Sequence, residues 1–332
     1  MAGYEISEEI SRSDFHFLCR GTRGPDRSAC LLKVPRRNPP RRVDVDLLRR
    51  ELGFLKESPA AGVPRAIELV RIESQPCLVL EGHRGKSLAT NLESGLADPG
   101  FVLDLSIRLC AVLADLHRAD IIHGALRPGS VLVDPDSGEV ALTDFCVASR
   151  GAGEPLPLHL MREALAYISP EQTGRMNRSV DHRSDLYALG ALMYEMLLGR
   201  PPFQSEDPLE LIHAHIARMP VPPAQASQSV PPVLSDLVMK LLSKTAEQRY
   251  QSAAGVRHDL EACARDWSGR RTIEPFRLAE RDVPDRFLIS QKLYGRERDV
   301  EQLHRAFERV CSGPSAMVLV GGYAGIGKTS LI

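Results

Sequence analysis

Near its C-terminus the chain reads GYAGIGKT, Gly322 to Thr329, which satisfies the spacing G-x-x-x-x-G-K-[ST] in full. Glycines at Gly322 and Gly327 let the backbone approach an anion closely, since no side chain fills the space. Backbone N–H groups at a helix start then face the phosphates, where the helix dipole favours negative charge. Lys328 would reach the β- and γ-phosphates, and Thr329 would offer its hydroxyl to magnesium. A chance glycine-rich turn is the competing reading. The apolar run AMVLV before the motif and TSLI after it, a strand and then a helix start, speak against that.

A second set of chemistry-bearing residues is spread over the first half. Lys33 lies in the apolar run ACLLKV, and Glu51 follows eighteen positions later on an amphipathic stretch. The segment IIHGALRPGSVLV, Ile121 to Val133, carries His123, Arg127 and Ser130, and Asp144 follows in TDFC. Taken singly each is bland: a strand lysine is usually a surface lysine, and Asp-Phe after a strand is usually a turn. Only their order and spacing together carry weight.

The elements that must position them read as follows. ACLLKVP and PCLVLEGH are short strands, and VDVDLLRRELGFLKES is a helix with Val45, Leu48, Leu52 and Leu55 on one face. From about residue 100 the pattern turns helical. FVLDLSIRLCAVLADLHRAD has apolar residues at i, i+3, i+4 and i+7, which predicts a helix with one buried face. SVLVD and EVALTDF are strands joined by the turn PDSG. SDLYALGALMYEMLLGR is apolar nearly all round, so it should lie deep in a core and stop at Gly199. VLSDLVMKLLSK and SAAGVRHDLEACARDW add two amphipathic helices. Residues 268–290 have no clean period and read as a linker, followed by a helix in YGRERDVEQLHRAFERV.

Composition sets the outer bounds. With 332 residues, 43% hydrophobic and 26% charged, the chain is an ordinary globular one long enough for more than one domain. A net charge of -1 gives no global field to recruit nucleic acid or an anionic membrane. The arginine-rich RRVDVDLLRR reads as a solvated helix face rather than a nucleic-acid patch. The seven cysteines are scattered without a CxxC pair, which argues against disulfides or zinc and fits a cytoplasmic setting. The start MAGYEISEEI is acidic and lacks an apolar h-region, so no secretory leader is expected, and no run approaches the ~18 apolar residues of a membrane span.

From about Tyr4 to Trp267 these features resemble the serine/threonine protein kinase family. Lys33 stands at the strand lysine, Glu51 at its helix partner, and LVLEGH at the hinge. TDFC resembles D-F-G with Asp144 at the metal position. ISPE resembles A-P-E with Glu171, SDLYALG the large-lobe helix start with Asp185 and Gly190, and EQRYQS supplies Arg249, the usual partner of Glu171. The resemblance implies an α+β bilobal fold: a small antiparallel β lobe over residues 1–82 and a helical large lobe over 83–267. It also implies ATP and magnesium as cofactors, with Lys33, Glu51 and Asp144 holding the nucleotide and Asp144 the metal. His123, Glu171, Asp185 and Arg249 would be structural.

The sequence departs from that family where phosphate is transferred. H-R-D-L-K-P-x-N is written HGALRPGS. Ala125 occupies the base position and Ser130 the second metal-ligand position, so no catalytic residue is intact there. Gly124 replaces the arginine that reads a phosphorylated activation loop, while Arg127 keeps the basic residue. Cys146 replaces the D-F-G glycine, and Ala164 the threonine that bonds the catalytic aspartate. The expected glycine-rich loop, ISRSDFHFLCRG, has no glycine before Gly21. Losing a general base alone costs about 10²–10⁴ in rate. The pattern implies a degenerate, pseudokinase-like regulatory domain that could still bind ATP with one magnesium. A weak serine/threonine kinase and a scaffold that binds no nucleotide are the alternatives.

LYGRERDVEQL together with GYAGIGKT resembles the start of AAA-type P-loop ATPases, over residues 291–332. The tandem resembles the front end of large bacterial signalling proteins in which sensor and histidine kinase modules follow. The implied partners are a nucleotide and downstream ATPase or signalling domains of a longer protein, with no nucleic acid and no membrane span.

Overall fold

The computed structural model describes residues 3–24, 27–57, 60–72, 74–93, 95–153, 157–176, 178–284, 297–313, 315 and 317–323. They divide into two compact units, Met1–Asp285 and Arg286–Ile332.

The first unit opens with a five-stranded antiparallel sheet: β1 (Tyr4–Arg12), β2 (His16–Arg23), β3 (Ser28–Pro35), β4 (Ala66–Ile72) and β5 (Gln75–Glu81), in the order β1-β2-β3-β5-β4. The middle strands β3 and β5 are buried on both faces, which explains their unbroken apolar runs. One face gives Leu18, Leu31, Leu78 and Leu80 to the main core; the other gives Cys19, Cys30, Leu32, Cys77 and Val79 to a separate cluster. The Tyr4 hydroxyl donates to Glu68, joining the two edge strands.

Between β3 and β4 runs α1 (Arg42–Glu57). It buries Asp44, Leu47, Leu48, Glu51 and Leu55, a stripe turned from the expected Val45, Leu48, Leu52 and Leu55. The cause is Glu51: its ion pair with Lys33 draws a charged residue inward, which apolar periodicity cannot anticipate.

The helical lobe follows. After β6 (Lys86–Ser87) and α2 (Leu88–Glu93) comes α3 (Pro99–Arg118), whose N-cap Asp98 accepts from the Gly100 amide at 2.9 Å. Short strands β7 (Ile121–Ile122), β8 (Val131–Val133), β9 (Val140–Leu142) and β10 (Ser149–Arg150) frame the site, β8 and β9 pairing across the expected turn. Helix α4 (Arg183–Leu198) is buried except at Glu195 and Leu198 and ends at Gly199, whose φ of 71° is the left-handed cap that glycine adopts freely. Then come α5 (Pro208–Ala217), α6 (Pro223–Ala226), α7 (Pro232–Leu241) and α8 (Ala253–Arg270), with α8 lying along α3.

The stretch read as a linker from residue 268 is, in its first part, integral to this lobe. The last turn of α8 reaches Arg270. Beyond it Ile273 is buried, and Phe276, Leu278 and Ala279 pack on the main core. Asp282 then closes the N-terminus of α8, accepting from the amides of Gln251 at 2.5 Å and Ser252 at 3.0 Å. A Cβ at Gly255 would sit 2.2 Å from Asp282 Oδ1, so glycine is what lets this strap close. Irregular backbone hides such packing from a periodicity search.

In the second unit α9 (Glu297–Ser312) forms where expected. The strand expected in AMVLV does not: residues 317–323 carry no regular structure, and Met317 and Leu319 are 93% and 90% exposed. A strand needs a neighbour to take its N–H and C=O groups, and none lies beside it among the described residues of this unit. Gly322 belongs to that irregular stretch; Gly327, Lys328 and Thr329 lie outside the described residues. No described helix is long and apolar enough to cross a membrane, and no described group of three His, Cys, Asp or Glu is placed to hold a metal.

Candidate functional site

The middle strand β3 carries Lys33 into the space beneath the sheet, where its side chain is fully buried. Its ammonium donates to both carboxylate oxygens of Glu51, at 2.8 and 2.7 Å, and to Asp144 Oδ1 at 2.6 Å. Burial alone would push Lys33 toward neutrality; the carboxylates of Asp144 and Glu51 outweigh it and hold the ammonium above the ordinary lysine value. Glu51 also accepts from the Phe145 amide at 3.2 Å, tying α1 to the turn after Asp144. Phe145 is fully buried, with the His123 ring against it edge-on at 4.8 Å.

His123, Asp185, Glu171 and Arg249 hold the backbone around this point. Asp185 accepts from the amides of His123 and Gly124 at 2.9 and 2.8 Å. His123 bonds the Thr143 carbonyl at 2.7 Å, and burial keeps its imidazole neutral. Arg249 meets Glu171 in a two-pronged pair at 2.7 and 2.8 Å, fully buried, with Ser184 on the same carboxylate.

Asp144 is surrounded by cations and donors. Oδ1 takes Lys33 and the ring of His16, the latter at 2.9 Å; Oδ2 takes Arg127 at 2.8 Å. Burial opposes the charged carboxylate, but Lys33, His16 and Arg127 overcome it and hold Asp144 well below the usual range. His16 goes the other way. Burial, then the nearby charge of Lys33, lowers its pKa, so the imidazole is neutral and donates its Nε2–H to Asp144. This contact is a hydrogen bond rather than an ion pair. Arg127 also reaches Glu163 at 3.0 Å.

The positions that differ from an intact catalytic loop are filled differently. Ser130 Oγ donates to the Arg127 carbonyl at 2.9 Å and accepts from the Arg127 amide at 3.1 Å, so it caps its own turn. Ala125 packs into two apolar clusters, one with Met161, Ala164, Leu165 and Ile168, the other with Leu47, Cys146, Val147, Phe15 and Leu160. Burial pushes the Cys146 thiol up to about 12, so it stays protonated. Ser13, His16, Ala125, Arg127, Asp144 and Glu163 enclose only ≈ 30 Å³, far below the roughly 300–1,000 Å³ of small-molecule sites.

Sequence reasoning thus placed Lys33, Glu51, Asp144, Ala125, Ser130 and His123 in one cleft, and the structure brings them together. It missed His16, Glu163 and the pairing of Arg127 with Asp144. The available signal was the glycine-free loop itself: Ser13 folds it into a tight turn, its Oγ accepting from the His16 amide at 3.0 Å, which aims the ring inward.

Residues 20–260 match the protein kinase domain family, and residues 292–332 match an AAA ATPase domain. A hybrid signal transduction histidine kinase of Dictyostelium discoideum is 40% identical over 186 residues, covering 50% of this chain and 5% of its own length. A probable serine/threonine-protein kinase of Streptomyces coelicolor is 34% identical over 194 residues, 57% of this chain and 28% of its own. The serine/threonine-protein kinase PknB of Mycobacterium leprae is 32% identical over 189 residues, 56% and 30% respectively. The chain therefore spans under a third of the length of each of these relatives.

Proposed function

The chain belongs to the protein kinase domain family, and from that premise we propose that its two lobes form a regulatory domain that does not transfer phosphate. The small lobe would span residues 1–82, the large lobe would run from 83 through the strap that ends at Asp282, and from 291 would come the start of an ATPase module to which the domain is coupled. One observation carries the reading: Ala125, at the base position, packs against two apolar clusters, one of Met161, Ala164, Leu165 and Ile168 and one of Leu47, Cys146 and Val147. Catalysis in this family is positioning and electrostatics around phosphate, metal and acceptor hydroxyl. An alanine has no group that can take the hydroxyl proton.

Kinase and AAA ATPase domains generally use ATP and magnesium. In the cleft, Asp144 and Ser130 are the residues that would hold the metal. They do not fit it as arranged, because both Asp144 oxygens are committed to protein donors and the Ser130 hydroxyl to its own turn. In the second unit the donor set suits a nucleotide: Gly322 and Gly327 for close approach, Lys328 for phosphate, Thr329 for magnesium. The partners are then that nucleotide and the downstream domains of a longer protein. The six free buried cysteines among the described residues support a cytoplasmic setting.

A weak kinase is the second reading, favoured by the fully assembled Lys33–Glu51 pair. The same enclosure of the cleft also supports a third, a scaffold that takes no nucleotide. Phosphate transfer from radiolabelled ATP to a generic acceptor protein tests the first reading. No incorporation above that of Asp144→Ala is expected; robust incorporation that Asp144→Ala abolishes would overturn it.

A further inference from the structure

We propose that His16 sets the specificity of the cleft: by hydrogen-bonding Asp144 it excludes a metal nucleotide that Lys33 and Asp144 would otherwise admit. The proposal rests on the reading of an inactive domain and names what governs entry of a ligand to its cleft.

The contact is built. Asp144 lies 128 positions from His16, yet the ring is 5% exposed and its Nε2–H meets Oδ1 at 2.9 Å. The Ser13 amide donates to the His16 carbonyl at 2.8 Å, and Ser13 Oγ accepts from the amides of Phe15 and His16 at 3.3 and 3.0 Å. One strand back, Ser11 Oγ donates to the Gly129 carbonyl at 3.0 Å, pinning β1 to the Pro128–Ser130 turn. This is the loop that a kinase builds from glycines; here serines fasten it shut.

The contact is also exclusive. Magnesium takes carboxylate oxygens as ligands, and an N–H aimed at Oδ1 cannot share that lone pair with a cation. Asp144 already has Lys33 on one oxygen and Arg127 on the other, the latter shared with Glu163, so its charge is met by protein cations without a metal. A ligand that needs the turn lifted binds with its intrinsic affinity reduced by the open fraction. A buried hydrogen bond to a charged group is worth roughly ten- to a hundredfold in such an equilibrium.

The experiment uses the full chain carrying Lys328→Ala, which removes the second phosphate site, and titrates it with ATP and magnesium by calorimetry. His16→Ala should bind at least tenfold tighter than this parent. Adding Asp144→Ala should abolish the gain, and His16→Gln, which keeps an N–H donor, should stay with the parent. Ser11→Ala, which frees the strand without touching the ring, should also tighten binding and serves if His16→Ala melts. Equal affinities of parent and both loosened variants, including no binding by any of them at millimolar ATP, would overturn the proposal. So would a His16→Gln variant that binds like His16→Ala. Phosphate transfer is followed in the same samples. Transfer by His16→Ala would sink the inactive-domain reading and leave this one standing; unchanged binding without transfer would do the reverse.

Discussion

The molecule holds two buried charge networks that differ in how they are closed. At the base of the large lobe, Arg249 spends every N–H it has: on both oxygens of Glu171 and on the carbonyls of Ser243, Arg183 and Lys244, with its plane 4.9 Å from the Tyr187 ring. Nothing can be exchanged there without leaving a donor bare. In the cleft, three side chains share one carboxylate, Asp144, and Lys33 has a second carboxylate in Glu51. That network is redundant. It should tolerate the loss of a partner that the network at the base of the large lobe would not.

The sharpest way to break this contrast is to remove one carboxylate from each network. Glu171→Ala leaves Arg249 buried without its counter-charge and should lower unfolding free energy by about 3–5 kcal/mol. Glu51→Ala leaves Lys33 paired with Asp144 and should cost only about 1–3 kcal/mol. Urea unfolding measures both, and equal losses would erase the distinction.

Acid separates them next. Burial pushes the Glu171 carboxyl up, but Arg249 and Ser184 win and hold it at about 2, against 4.5 for the free group. Its stabilisation is therefore whole above pH 4.5 and lost as pH falls toward 2, about 3 kcal/mol in all. His215 shows the complementary sign. Burial and the charge of Lys244 lower it to about 3, so below pH 6.5 the unfolded chain binds a proton that the folded one refuses. Stability should already decline from pH 6.5 downward, by about 1.4 kcal/mol per unit from this one group. Urea midpoints at pH 7, 5.5 and 4 check the upper limb. Glu171→Gln should flatten the drop below pH 4.5 and leave the upper limb as it was.

A smaller effect probes the cleft alone. Ala125→Asp sets a carboxylate against the two apolar clusters that Ala125 packs on and should cost about 1–3 kcal/mol, without restoring phosphate transfer even alongside Ser130→Asn. A stable, active revertant would mean that the apolar seal matters less than the missing groups. At the bottom of the scale, Arg257→Ala breaks an exposed pair with Glu261 at 2.8 Å on α8. It should shift stability by under about 0.5 kcal/mol. A larger loss would show that α8 depends on its surface, not on its buried face.

Much of this was legible in the sequence, for a reason that the two networks illustrate. Lys33, Glu51, Asp144, Glu171, Asp185 and Arg249 stand at fixed separations because they bridge elements whose lengths the fold dictates. Gly199 ended its helix because only its backbone adopts the required dihedrals freely. His16 could not be found this way. Its role depends on one serine-closed turn and on a partner 128 positions away, neither of which leaves a period. Glu51 itself was legible, but not its effect on the helix: a charged residue on the buried stripe of α1 left that face rotated from the one apolar spacing predicts. The strand before the glycine-rich loop failed for the opposite reason. Its apolar pattern was plain, but pattern alone does not supply a neighbouring strand.

The strap that ends at Asp282 bears on how the protein is made. Helix α8 is closed at its N-terminus by a carboxylate thirty positions further along the chain. A ribosome delivers the lobes first and that carboxylate afterwards, since synthesis runs from the N-terminus. The large lobe therefore waits, with the amides of Gln251 and Ser252 open to water, until translation has passed residue 282. A piece released earlier, at the apparent domain edge near Trp267, would carry α1 to α7 and most of α8 and still lack the residue that closes α8.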